Sequence, residues 1–240
     1  MTGYDTAGRI QETYGSAHSE FGAKPAYWIR YFNPSPAADL FENGGIDESR
    51  GAWDSGAGFI GCISAPNQSR LGGSAAEGHA DAQAFAAALL IAYRSVHPLE
   101  LPTNNQLYCW LDQEYSTSLS LAYWDAWAGY LAEYNFAGQG TYPLYPALYC
   151  DPYSPYPNCT TIAKAKGKNI PSAVWSSEPE PCGTVSKPPK WRADVCGTVP
   201  TRLWQFGEQN ACHFSANVDL DLSAPNFSYA DHCFFLRARP

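Results

Sequence analysis

Short β-rich runs alternate with helical or loop segments along the chain, the pattern that parallel strands joined by crossovers produce. The first run is Gly3-Tyr4-Asp5-Thr6. Residues 26–32 form a second, closed by Asn33-Pro34, and residues 59–64 a third, closed by Ala65-Pro66; both end on turn signals. Further strands are expected at residues 106–114, 144–149, 173–177, 201–206 and 218–222. Phe85, Leu89 and Tyr93 recur at four-residue spacing on an alanine-rich background, which predicts a helix over residues 81–96. Residues 119–136 carry Tyr123, Trp127, Tyr130 and Tyr134 on a second amphipathic stripe, which reads as core. Residues 150–170 and 178–200 show no long periodic helix and are rich in Pro, Cys and Lys. Eight strand-and-crossover units predict an α/β chain folded as one (β/α)8 barrel over residues 1–240, with cysteine-rich loops after strands five and six. Closure requires the first strand, around Tyr4, to pair with the last, around Val218.

Length changes this picture little, because 240 residues fit one large domain or two small ones. No repeat, low-complexity tract or linker divides the chain, so one domain is expected. A net charge of −8 argues against nucleic acid, whose binders need basic patches to displace counterions. No stretch approaches the roughly 20 apolar residues of a membrane helix. The N-terminus lacks a basic region followed by an apolar one, so if the chain is exported its signal is expected to have been removed. Eight cysteines, one methionine and 19 prolines suit an oxidising, extracellular location. Local loop closure predicts Cys150–Cys159, Cys182–Cys196 and Cys212–Cys233 disulfides, leaving Cys62 with Cys109 on neighbouring strands. Asn67, Asn158 and Asn226 each head an Asn-x-Ser/Thr glycosylation triplet. The five histidines show no metal-ligand spacing, and there is no Gly-x-Ser-x-Gly elbow, P-loop or dinucleotide fingerprint. No metal and no cofactor is expected.

Catalytic groups of parallel barrels sit at the C-terminal ends of the strands. By position these are Asp5 on strand one, Asp112 and Glu114 on strand four, Glu178 on strand six, and Asp219 with Asp221 on strand eight. Residues two apart on a strand share a face, so Asp112-Gln113-Glu114 directs two carboxylates into one pocket. Glycoside hydrolysis needs such a set, one carboxylic acid to protonate the leaving oxygen and another to stabilise charge or act as nucleophile. Glu114 is the expected proton donor and Asp112 the group that orients the substrate. Arg30 either pairs with this cluster or is an ordinary surface arginine. Tyr31, Tyr149, Trp175 and Trp204 lie at strand ends, where they either stack on sugar rings or pack inside the barrel.

Gly3-Tyr4-Asp5, Ile29-Arg30-Tyr31, Asp81-Ala82, Leu111-Asp112-Gln113-Glu114, Leu203-Trp204-Gln205-Phe206 and Val218-Asp219-Leu220-Asp221 occur in this order. Together they resemble the bacterial glycoside-hydrolase-like domain of unknown function and, more distantly, the family-25 glycoside hydrolases of lysozyme type. The resemblance implies a TIM-type barrel whose acidic pocket is built from Asp5, Asp112 with Glu114, and Asp219, with Gln205 and Asp221 beside them. Asp221 stands where the lysozyme relatives usually carry Asn, which adds a negative charge. Two functions stay open: an extracellular glycosidase acting on a peptidoglycan-like or N-acetylated polysaccharide, and a non-catalytic glycan-binding or structural surface or virion module on the same barrel.

Overall fold

The computed structural model describes residues 1–32, 46–95, 99–114, 118–136, 144–152, 158–178, 182–194 and 196–236. Eight strands close a ring: β1 (Thr2–Asp5), β2 (Tyr27–Tyr31), β3 (Phe59–Ser64), β5 (Leu107–Asp112), β6 (Leu144–Cys150), β7 (Val174–Ser177), β8 (Thr201–Gly207) and β9 (Asp219–Ser223). Each coincides with an expected strand. Two short strands that the pattern did not reveal, β4 (Leu99–Glu100) and β10 (Phe234–Leu236), attach to β3 in antiparallel fashion through β10. The seam is the β1–β9 pair, with Tyr4 opposite Leu220 and Asp5 opposite Asp219.

The eightfold β/α alternation is where expectation and structure differ. Among the described residues, helices of ten residues or more follow only β1, β2, β3 and β5: α1 (Ile10–Phe21), α2 (Ile46–Ser55), α3 (Ala75–Ser95) and α4 (Leu121–Glu133). The described residues of the later connections hold the short α5 (Asn158–Ile162), α6 (Gln209–Cys212) and α7 (Tyr229–His232), with a 3-10 turn at Gly167–Asn169. β9 also runs antiparallel to both of its neighbours, β8 and β1. Residues 208–218 between β8 and β9 are too few for a parallel crossover, which takes a dozen or more. The fold is therefore a mixed α/β single domain around a closed eight-stranded barrel.

Strand alternation sorts the apolar residues into two layers. Trp28, Phe32, Trp204 and Phe206 face outward and pack with Phe85, Trp124 and Trp127 of the helices. Tyr27, Ile29, Ile63, Tyr108, Trp110, Trp175 and Leu203 face inward and fill the barrel. Because both faces are buried, the strands read as nearly continuous apolar runs. Ser120 caps α4 by accepting a hydrogen bond from the Tyr123 N–H at 3.0 Å, and Tyr123, Trp124, Trp127, Ala128 and Leu131 form its buried face. Gly3 is fixed by close approach: a Cβ there would sit 2.3 Å from the Tyr27 ring, which crosses the barrel interior at that point.

Two disulfides are present, Cys159–Cys196 and Cys182–Cys212, and none of the four expected pairings is among them. Cys62, Cys109, Cys150 and Cys233 are buried thiols. Three of the expected bonds were local loop closures and the fourth joined neighbouring strands, whereas the observed ones tie the connection after one strand to the connection after the next. Cys62 and Cys109 are register partners, as expected. Side chains at paired positions stand side by side from the sheet, and a disulfide needs their Cβ vectors turned towards each other.

Candidate functional site

A pocket of about 250 Å³ opens at the barrel mouth, lined by Asp5, Tyr31, Gln113, Glu114, Tyr149, Asp151, Ser177, Gln205, Glu208 and Asp219. Its residues sit on, or just beyond, the C-terminal ends of β1, β2, β5, β6, β7 and β8, together with the first residue of β9. The reversed direction of β9 explains the last of these. Entering from the mouth, it presents Asp219 at the rim and carries Asp221 one step further down.

Gln205 organises the floor. Its amide nitrogen donates to Asp5 Oδ2 at 3.2 Å and to Asp219 Oδ2 at 3.1 Å. Its amide oxygen accepts from the Tyr149 hydroxyl at 2.8 Å and the Ser177 hydroxyl at 3.0 Å, which fixes which end of the amide faces the acids. The backbone N–H of Gln209 donates to Asp219 Oδ1. Trp175 lies inside the barrel below this layer, its indole N–H donating to Asp221 Oδ1 at 3.0 Å.

Burial dominates the electrostatics. It pushes Asp5 up to about 6; the hydrogen bonds with Asp221 and Gln205 pull down, the Glu208 charge adds to the rise, and Arg30 opposes it. Asp219 is pushed up to about 8, by burial first and then by the neighbouring Asp5. Asp221 rises well above the usual carboxylate range from burial and its contact with Asp5. Asp112 rises well above it too, from burial and from the charges of Glu114 and Asp5. Like charges in a dry site resist joint ionisation, so the cluster holds protons at neutral pH.

Asp5, Glu114, Asp219, Tyr31, Tyr149 and Gln205 thus meet in one pocket. Asp112 lies on the inward-facing row of β5 with Tyr108 and Trp110, one step below Glu114. It is 3% exposed, and its Oδ1 has no hydrogen-bond partner. Two candidate site residues, Trp204 and Arg30, lie outside the lining. Trp204 lies between inward-facing Leu203 and Gln205, so it faces outward, donates to the Glu178 carbonyl at 3.1 Å and packs on Trp191. Arg30, between Ile29 and Tyr31, is likewise outside the lining and wholly buried. Its Nη1 donates to the Thr6 carbonyl at 2.6 Å, and its charge reaches Asp5 from behind. Glu178 turns away from the mouth, accepting hydrogen bonds from the Asp194 N–H and the Ser176 hydroxyl. Asn158 is buried and hydrogen-bonded to Gln113 and to the Leu119 N–H, which closes that glycosylation triplet in the folded chain.

Four pocket residues went unrecognised in the sequence: Gln113, which follows β5 directly, Asp151, Ser177 and Glu208. The strand-end rule that selected Asp5 and Glu114 applies to them equally. Asp151 follows β6 directly, Ser177 is the last residue of β7, and Glu208 follows β8.

The architecture is that of a closed α/β barrel with a carboxylate-lined mouth, and two solved structures share the fold. An uncharacterized protein of B. stearothermophilus superposes with a TM-score of 0.70 at 18% identity, over 96% of this chain and 99% of that one. The spore cortex lytic enzyme SleM of Clostridium perfringens superposes with a TM-score of 0.57 at 15% identity, over 93% of this chain and 67% of that one. No family model matches the chain, and no curated protein sequence does. Among the described residues no helix is long and apolar enough to cross a membrane.

Proposed function

We propose that the protein is a secreted glycoside hydrolase that cleaves an extracellular polysaccharide by carboxylate acid/base catalysis. The observation that carries this reading is the gathering of Asp5, Glu114 and Asp219 around one open pocket, with Tyr31 and Tyr149 beside them. The cortex lytic activity in the name of SleM supports it at the level of fold. Two disulfides suit export. Glu114, on the rim, protonates the leaving oxygen. Asp5, ionised above about pH 6, stabilises the positive charge that develops on the sugar ring, since an oxocarbenium-like transition state is favoured by a nearby anion. Asp112 supports Glu114 from below, and Gln205 holds Asp5 and Asp219 in place. Asp219, which keeps its proton to about pH 8, is the second proton source in the pocket.

The test is turnover of neutral, amide-bearing and amine-bearing polysaccharides by the wild type, Glu114→Gln and Asp219→Asn. Loss of a catalytic acid costs about two to four orders of magnitude in rate while glycan binding persists. That loss is expected in Glu114→Gln. If Asp219→Asn shows it and Glu114→Gln does not, the donor is Asp219. A wild type that binds glycan and never cleaves it is a binding module, and one that binds none overturns both readings.

A further inference from the structure

We propose that the glycan taken by this pocket carries free amino groups, so that its sugars are ammonium-bearing at neutral pH. The inference rests on the glycan reading above and adds the charge of the ligand to it. Among the described residues, five of the ten that line the pocket are carboxylic acids, and none is Lys, Arg or His. Beneath them lies the unpartnered Asp112 Oδ1, nearly inaccessible to water and on the row that leads up to Glu114. Tyr31, on the pocket wall, feels the charges of Asp112, Asp5, Glu114 and Asp219 together, which puts Asp112 in the same field as the rim.

The donor inventory points the same way. The Gln205 amide N–H groups are committed to Asp5 and Asp219, and the Tyr149 and Ser177 hydroxyls are committed to Gln205. What the described lining offers a ligand is therefore mostly carboxyl groups, some of which burial keeps protonated until a cation draws them into the ionised, acceptor-only form. A carboxylate-bearing sugar brings more acceptor oxygen and negative charge. An acetamido group brings one donor and one further acceptor. An ammonium group brings three donors and no acceptor, together with the opposite charge, and a cation within a few ångströms favours ionised carboxylates that burial otherwise keeps protonated. Asp151 and Glu208 are lining carboxyls that make no hydrogen bond with Gln205, so replacing them changes the charge of the rim without dismantling the floor.

Calorimetry with glucosamine, N-acetylglucosamine and uronate oligosaccharides of equal length tests this at low and high salt. The glucosamine oligomer is expected to bind about tenfold or more tightly than the acetylated one at low salt, with the advantage shrinking as salt screens the charges. The uronate oligomer is expected not to bind. In an Asp151→Asn, Glu208→Gln variant the advantage is expected to fall several-fold while the acetylated oligomer still binds. Equal or tighter binding of the acetylated oligomer overturns the inference and leaves the glycan reading standing. A glucosamine preference unchanged in the double variant is attraction to the acidic surface at large and overturns it as well. Binding of glucosamine oligomers with no cleavage supports the inference while removing the catalytic half of the reading.

Discussion

Asp5 and Asp219 stand opposite each other on antiparallel strands and share a single amide, that of Gln205, which donates to both carboxyls at 3.2 and 3.1 Å. Two acids so placed share one neutral donor, and the Arg30 charge reaches Asp5 alone from behind. Their proton occupancy therefore bears on what the pair costs the fold.

Removing the amide exposes that cost. In Gln205→Leu both carboxyls lose the amide donor that joins them, Asp219 keeping the Gln209 N–H, and the Tyr149 and Ser177 hydroxyls lose the amide oxygen, Tyr149 keeping Ser177 Oγ as its acceptor. Buried polar groups left unpaired cost about 1–3 kcal/mol each, so denaturant unfolding is expected to show a loss of at least about 2 kcal/mol. A variant as stable as the wild type would show that the bridge contributes nothing.

The raised carboxyls make stability depend on pH in a defined direction. Asp5 and Asp219 have folded values of about 6 and about 8 against an unfolded value near 3.8. The folded state therefore binds more protons between these limits, and stability falls as pH rises. These two groups contribute fully below about pH 4, and the contribution is lost as pH passes through about 6 and then about 8. Thermal melts of the wild type and of Asp219→Asn between these limits check the sign. The wild type is expected to lose more melting temperature than the variant on going from pH 5 to pH 8, and an equal loss removes Asp219 from the account.

Gly3 is expected to tolerate no side chain. A Cβ would meet the Tyr27 ring at 2.3 Å, and overpacking of a closed core typically costs about 1–3 kcal/mol. Gly3→Ala should lower the unfolding midpoint, and Gly3→Ala with Tyr27→Leu should recover part of the loss. No recovery would mean that the ring is not the obstacle.

Peptide mapping without reduction should recover Cys159 with Cys196 and Cys182 with Cys212. The thiols of Cys62, Cys109, Cys150 and Cys233 are buried, so alkylation is expected only after unfolding. Cys150 has a thiol pushed up to about 12 by burial and by Asp151. Its sulfur nonetheless lies within 4.8 Å of both Cys159 and Cys196, so digestion at acidic pH is needed to prevent exchange during handling. A Cys150–Cys159 peptide under those conditions would refute the observed pairing.

The central barrel strands, such as β3 and β5, were legible in the sequence because they are buried on both faces and read as apolar runs, while β9 was legible from the alternation of Leu220 and Leu222 with Asp219 and Asp221. β4 and β10, at two and three residues, leave no such run. α1 was missed because its buried face is Ile10, Thr13, Ala17 and Phe21. The spacing is helical, but Thr and Ala carry little hydrophobic contrast. The acidic pair on strand four was legible from period-two geometry. The same geometry bears on Trp204 and Gln205, since neighbours on a strand cannot both face inward. The sequence alone did not say which of the two does. The disulfides were illegible for a different reason: they join loops brought together by the order of strands in the ring, which local spacing does not encode.

The seam between β1 and β9 also has a consequence in time. Gln205 and Asp5 lie 200 positions apart in the chain, and Asp219 comes later still, so the pocket floor is assembled only when the two ends of the barrel meet. Bringing such distant partners together demands loop closure before any contact rewards it. During synthesis, Asp5 and its strand emerge first and wait, with one edge unpaired, for the last barrel strand. The acidic pocket is then among the last features of the molecule to form, and conditions that slow closure should leave a chain with helices α3 and α4 in place and no binding site.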